Sequence, residues 1–132
     1  MAKYEKKIVK VFLSEEEMNA EFARLLKEGL AGGGSGYYTL MLLSDFMRVF
    51  TPERLRLLRT IAVSKPSSVR ELARMVDRDV KNVHSDLQLL YSHGLIELIE
   101  AGGKKMPVVP YRRLRIEFAD ELEMEDLERK IA

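Results

Sequence analysis

The chain has 132 residues, 46% of them apolar and 33% charged, with no cysteine and a formal net charge of +1. That length supports one modest core, and the absent cysteines exclude disulfides and thiolate metal sites and fit a cytoplasmic protein. No apolar run approaches the roughly 20 residues that span a bilayer, and MAKYEKKIVKVFL shows no secretion pattern.

Lys6 to Leu13 is expected to form a strand, β-branched and with Val9, Val11 and Leu13 alternating onto one face. Ser14 followed by Glu17 is a capping box that starts a helix. Its first-turn acids suit the helix dipole. Met18, Phe22, Leu25 and Leu26 form its apolar stripe, and Gly29 ends it. Ala31 to Gly36 (AGGGSG) is a flexible linker by composition. Tyr37 to Leu43 reads as a second strand, nearly all apolar. Residues 1–43 thus form a strand-helix-strand lobe whose right-handed crossover sets the strands parallel. Two strands are marginal alone. The lobe is therefore expected to complete its sheet with a partner chain or with the C-terminal strand, and it is the candidate dimerisation element.

Residues 44–118 read as a second unit. Ser44 to Phe50 is a short helix capped by Ser44, with Phe46, Met47, Val49 and Phe50 partly buried. Thr51-Pro52-Glu53 is a strong helix start. Leu55, Leu58, Ile61 and Ala62 line the buried face of the helix that follows, and Ser64-Lys65-Pro66 ends it. Ser68 and Glu71 form another capping box. Val69, Leu72, Ala73 and Val76 share a face. After the polar linker Asp77-Arg78, Asp79 caps a further helix, buried along Val80, Val83, Leu87 and Leu90 and ended by Gly94. Leu95 to Glu100 is a strand, 101–104 a turn and 105–109 a return limb that Pro107 and Pro110 confine to an edge. Tyr111 to Phe118 alternates, with Leu114, Ile116 and Phe118 on one face. The last segment, 119–132, reads as an acidic amphipathic helix with Met124, Leu127 and Ile131 at helical spacing.

The pattern in 44–118 is three helices followed by a hairpin with lysines near its tip. The implied class is α+β: a winged helix-turn-helix (three-helix core plus β wing) with the small N-terminal lobe and a C-terminal helix. Charge is distributed accordingly. Residues 51–118 hold thirteen basic and eight acidic side chains, whereas 119–132 hold two basic and six acidic. In the docking mode of such folds the 79–93 helix enters the major groove of double-stranded DNA. Asn82 and Gln88 can pair with adenine, Lys81 can reach guanine or phosphate, and His84 and Ser85 share that outer face. Ser68, Arg70 and Arg78 are placed for the DNA backbone, as are Lys104 and Lys105 on the wing. Asp86 would repel phosphate, so it is expected to turn aside and pair with a basic neighbour.

The segments TPERLRLLRTI, SVRELARMVDRDVKNVHSDLQLL, HGLIEL and VVPYRRLRIEF resemble a family of bacterial and archaeal winged-helix transcriptional regulators, broadly MarR/ArsR-like. RDVKNVHSDL is the most specific part. Ser85 stands where look-alike sequences often carry Arg. The resemblance implies sequence-specific DNA binding, commonly as a homodimer. Similar proteins also occur as antitoxins paired with TumE-type toxins. The alternative function is therefore an antitoxin that binds a cognate toxin and autoregulates its operon. An enzyme is not expected. His84 and His93 are the only histidines, and no HExxH, nucleophile elbow or phosphate-binding glycine loop is present. No cofactor, no metal and no membrane association is expected.

Overall fold

The computed structural model describes residues 2–29 and 38–119. The Gly/Ser linker at 31–36 and the expected C-terminal helix, apart from Ala119, lie outside the described residues. Among the described residues the fold is α+β, with five helices, a three-stranded sheet and a two-stranded sheet. No helix among them is long and apolar enough to cross a membrane.

Strand β1 (Tyr4–Phe12) lies at the centre of the three-stranded sheet, in the order β2-β1-β5. Both neighbours are parallel to it: β2 (Tyr38–Leu42), with Val9 opposite Thr39, and β5 (Tyr111–Phe118), with Val9 opposite Ile116. The N-terminal lobe thus completes its sheet with the distant strand β5, the second of the two routes expected. Lys7, Val9 and Val11 share a face and are fully buried. Leu13 falls beyond the strand end and is half exposed, so the expected Val9/Val11/Leu13 face is corrected to Lys7/Val9/Val11.

Helix α1 (Glu15–Lys27) starts where Ser14 Oγ accepts from the Glu17 amide at 3.1 Å. Of its expected stripe only Leu25 is buried, while Phe22 and Leu26 stay half exposed. The contact is narrow because a polar bridge takes part of it: Glu21 of α1 pairs with Lys10 of β1.

Helix α2 (Leu43–Val49) follows β2 directly. Its N-cap is Leu42, without a side-chain hydrogen bond, so Ser44 is not the cap. Val49 is buried and Met47 projects outward. Helix α3 (Pro52–Ser64) is capped by Thr51, whose Oγ1 accepts from the Arg54 amide. Leu57, Leu58 and Ile61 face the core, whereas Leu55 and Ala62 are exposed. The sequence reading placed Leu58 and Ile61 correctly and rotated the rest of the face.

Helix α4 (Val69–Met75) and helix α5 (Val80–Ser92) supply Leu72, Ala73, Val83, Leu87 and Leu90 to the core. Asp77 between them adopts a left-handed φ of 54°, and the Arg78 amide returns to the Ala73 carbonyl at 3.0 Å. That closing bond is the Schellman pattern, so the turn is tight despite lacking glycine. Asp79 Oδ1 accepts from the Lys81 amide and caps α5. Val80, expected in the buried stripe, sits in the first turn and is exposed, because the core begins a turn later at Val83. Gly94, at φ +71°, ends the helix as expected.

Strands β3 (Glu97–Ala101) and β4 (Lys104–Val108) pair antiparallel, with Ala101 opposite Lys104. Gly102 and Gly103 both have positive φ. Two left-handed residues in a two-residue loop match the twist of the strands, which is why glycine fills both positions. Of the expected face of β5 only Leu114 is half-buried against the core, while Ile116 and Phe118 are exposed.

Lys7 is the one charged residue in the buried set of the described residues. A Cβ at Gly94 would lie 3.8 Å from Lys7 Nζ and 3.9 Å from Thr39 Oγ1. Thr39 Oγ1 in turn donates to the His93 carbonyl at 3.3 Å. The ammonium therefore stands at the C-terminal end of α5, where the helix dipole favours a cation. Burial still pushes its pKa down to about 8.

Candidate nucleic-acid interface

The capping chemistry that starts α4 and α5 brings their N-termini to one surface. The tip of the β3–β4 hairpin stands across from them. Between these elements lies an open cleft of about 640 Å³, with Ser68, Arg70, Lys81, His84, Lys104 and Lys105 among its lining residues. Six of the ten residues singled out in the sequence thus share one concavity, although they come from three separate elements.

Arg74 also lines the cleft. Sequence reasoning missed it, but its signal was present: Arg74 is one helical turn after Arg70, and residues four apart share a helix face. Val69 and Val80 supply the apolar floor and Asp79 the only carboxylate among the lining residues. That carboxylate is committed to the α5 cap. Arg70, Arg74, Lys81, Lys104 and Lys105 take part in none of the ion pairs found among the described residues. Five cations and one carboxylate line the concavity, an excess of four positive charges that the cleft walls focus.

Ser68 lines the cleft but is buried, and its Oγ accepts from the Glu71 amide at 3.1 Å. Its hydroxyl is thus the α4 cap, and a backbone contact to a ligand would compete with that bond. The Glu71 carboxylate reaches back to Ser67, accepting from its amide at 3.2 Å and its hydroxyl at 3.1 Å. The reciprocal half of the capping box is therefore displaced by one residue from the pattern expected.

Asn82, Ser85 and Gln88 are exposed on α5 but do not line the cleft. They extend its surface along the helix. Arg78 is placed differently from the sequence expectation. Its Nη1 is buried 2.9 Å from Asp86 Oδ2 and its Nε is 3.8 Å from Glu53 Oε2. Nη1 makes no aligned hydrogen bond there, so the contact is an ion pair rather than a directed bond. Asp86 Oδ1 also accepts from Arg54 Nε at 3.2 Å, and Arg54 Nη1 donates to the Arg48 carbonyl at 2.8 Å. Asp86 therefore turns aside and pairs with basic neighbours as expected. Arg78 is drawn inward by it and ties α3, the turn and α5 together.

These features define an α+β protein with a basic cleft built from two helix N-termini and a hairpin tip. A family model designated HVO_A0114 matches residues 49–116, just over half of the chain, and the chain belongs to that family. The match spans α3, α4, α5, the hairpin and most of β5. Compared with curated proteins and with solved structures, the chain has no significant match.

Proposed function

We propose that this chain is a winged helix-turn-helix protein that binds double-stranded DNA and regulates transcription. Helix α5 is the reading helix and the β3–β4 hairpin is the wing. The observation that carries the reading is the convergence of Arg70, Arg74, Lys81, Lys104 and Lys105 on one cleft, free of carboxylate partners among the described residues. A duplex is a convex ridge of phosphates with an edge-reading groove beside it. A concave cationic surface flanked by exposed amides on α5 complements both features.

In this reading the two lysines of the wing and the arginines of α4 hold phosphates. Lys81 lies where either a phosphate or a guanine edge is in reach. Asn82 and Gln88 meet base edges further along the groove. His84 lines the cleft between them and supplies a ring nitrogen for a polar contact. Ser85 donates to a phosphate in place of the arginine common in similar sequences.

The test is fluorescence anisotropy with a labelled duplex, titrated first at low salt without a chosen sequence and then against a selected pool. Binding is expected, with a logarithmic salt slope of about −4, since each phosphate neutralised contributes roughly −0.9. No binding at low salt would overturn the reading. So would binding unchanged when the five cations are replaced by alanine.

A further inference from the structure

Strand β5 lies at an edge of the three-stranded sheet and pairs with β1 alone among the described residues. It is eight residues long, and its outer half carries Ile116, 36% exposed, and Phe118, 61% exposed. The Phe118 ring meets Phe46 of α2 edge-on at 6.2 Å and otherwise faces outward. A long open edge is a template for another strand, and the charges it carries, here Arg112, Arg113, Arg115 and Glu117, restrict which strand can pair with it.

The parallel register fixes which side chains share a face. Leu114, Ile116 and Phe118 stand opposite Lys7, Val9 and Val11, on the core side of the sheet. Arg115 and Glu117 stand opposite Ile8 and Lys10, on the α1 side. A two-fold axis perpendicular to the sheet preserves both faces, so a strand can pair with its own copy only in registers centred on a residue. Four centres, from Leu114 to Glu117, bring the exposed residues of two copies together, and on Glu117 that carboxylate faces itself, a like-charge clash. Centred on Leu114, Arg113 faces Arg115 of the partner subunit, a like-charge clash. Centred on Arg115, that residue faces itself and Phe118 meets an arginine. Centred on Ile116, Leu114 meets Phe118, Ile116 meets itself, and Arg115 meets Glu117 twice. Read backwards, LRIEF is complementary to itself on both faces.

We propose that a second copy of this chain docks along β5, antiparallel about a two-fold axis through Ile116, and fuses the two sheets into one. The opposite edge, β2, lacks these features. It has five residues, none charged, and Lys10 lies over the ring of its Tyr38. The proposal rests on the strand alone and is independent of what the basic cleft binds.

The experiment uses the full chain and sedimentation equilibrium. The wild type is expected to be a dimer at micromolar concentration. Arg115→Glu places four carboxylates around the axis and Glu117→Arg places four cations there. Each single variant is expected to self-associate at least about tenfold more weakly, since like charges directly opposite destabilise a strand pair. Mixed one to one, the two variants are expected to form a heterodimer, because every cross-strand pair is again of opposite sign. Circular dichroism on each variant verifies folding. As a second measurement, Ile116→Cys places the sole thiol of the chain at the axis, and oxidation is expected to link two chains. A monomeric wild type would overturn the proposal, whether another part of the same chain or a different protein covers the edge. So would a dimer indifferent to both charge changes, or single variants that fail to associate on mixing.

Discussion

Asp86 holds Arg78 at 2.9 Å across the turn between α4 and α5, and the same carboxylate accepts from Arg54 of α3. All three side chains are largely shielded from water. Removing the carboxylate leaves two partly buried cations facing each other, the situation in which breaking a buried pair is costly. Asp86→Ala is expected to lower unfolding free energy by about 2 kcal/mol, less than a fully buried pair because Arg54 keeps its backbone acceptors. Urea unfolding of the single and double variants with Arg78→Ala checks it. A coupling below about 0.5 kcal/mol would reduce the network to an ordinary surface pair.

Lys7 makes stability depend on alkaline pH. Its folded pKa is pushed down to about 8 by burial, from 10.5 in the open chain. Between those values the unfolded chain binds more protons than the folded one, so stability rises with pH. A gain of about 2 kcal/mol is expected between pH 7.5 and 9.5. Lys7→Met should remove this slope. Burial pushes the Tyr111 hydroxyl upward, which acts in the opposite sense but only above pH 10. Denaturant midpoints across the window decide the matter.

Glu21 governs the acid side. Hydrogen bonds from Arg24 first, and then from Lys10, hold its carboxyl down at about 2. Its stabilisation is therefore complete above the ordinary value of 4.5 and is lost as the pH falls toward 2. Solvent screening at this surface keeps the effect near 1 kcal/mol. Glu21→Gln is expected to be less stable than the wild type at pH 7 by that amount and equal to it near pH 2, by thermal unfolding at the two pH values.

The lysines of the hairpin separate phosphate contacts from base reading. If Lys104 and Lys105 each hold a phosphate, replacing both with alanine should weaken duplex binding about tenfold at moderate salt, flatten the salt slope by about 2 and leave sequence preference unchanged. Lys81→Ala should instead alter preference at one base position if it reaches a guanine edge. Competition against duplexes of varied sequence measures both.

The helix starts were legible because caps are local. Thr51, Ser68 and Asp79 each announce a helix through a side chain that reaches an amide only two or three residues away. The hairpin was legible from its glycines. Burial was harder. The alternation of β1 is plain, yet a lysine at position 7 reads as polar and the pattern is anchored on Leu13 instead, which lies past the strand. Whether a lysine enters a core depends on what stands at the far side, here the end of α5. Leu55, Val80 and Met47 are apolar at helical spacing but stay exposed, because each helix presents only a narrow face to the core. The site was legible as a set of types but not as a geometry. Arg78 and Arg74 look alike in sequence, and only the position of Asp86 turns one inward and leaves the other facing the cleft.

The pairing of Tyr4 with Tyr111 has a kinetic consequence. Closing a loop of roughly a hundred residues costs entropy that no early contact offsets. The helices from α3 to α5 and the hairpin make local contacts and can form first, while β1 and β2 wait. During synthesis the sheet has no third strand until Phe118 leaves the ribosome. The lobe translated first is thus completed only when the last described strand reaches it.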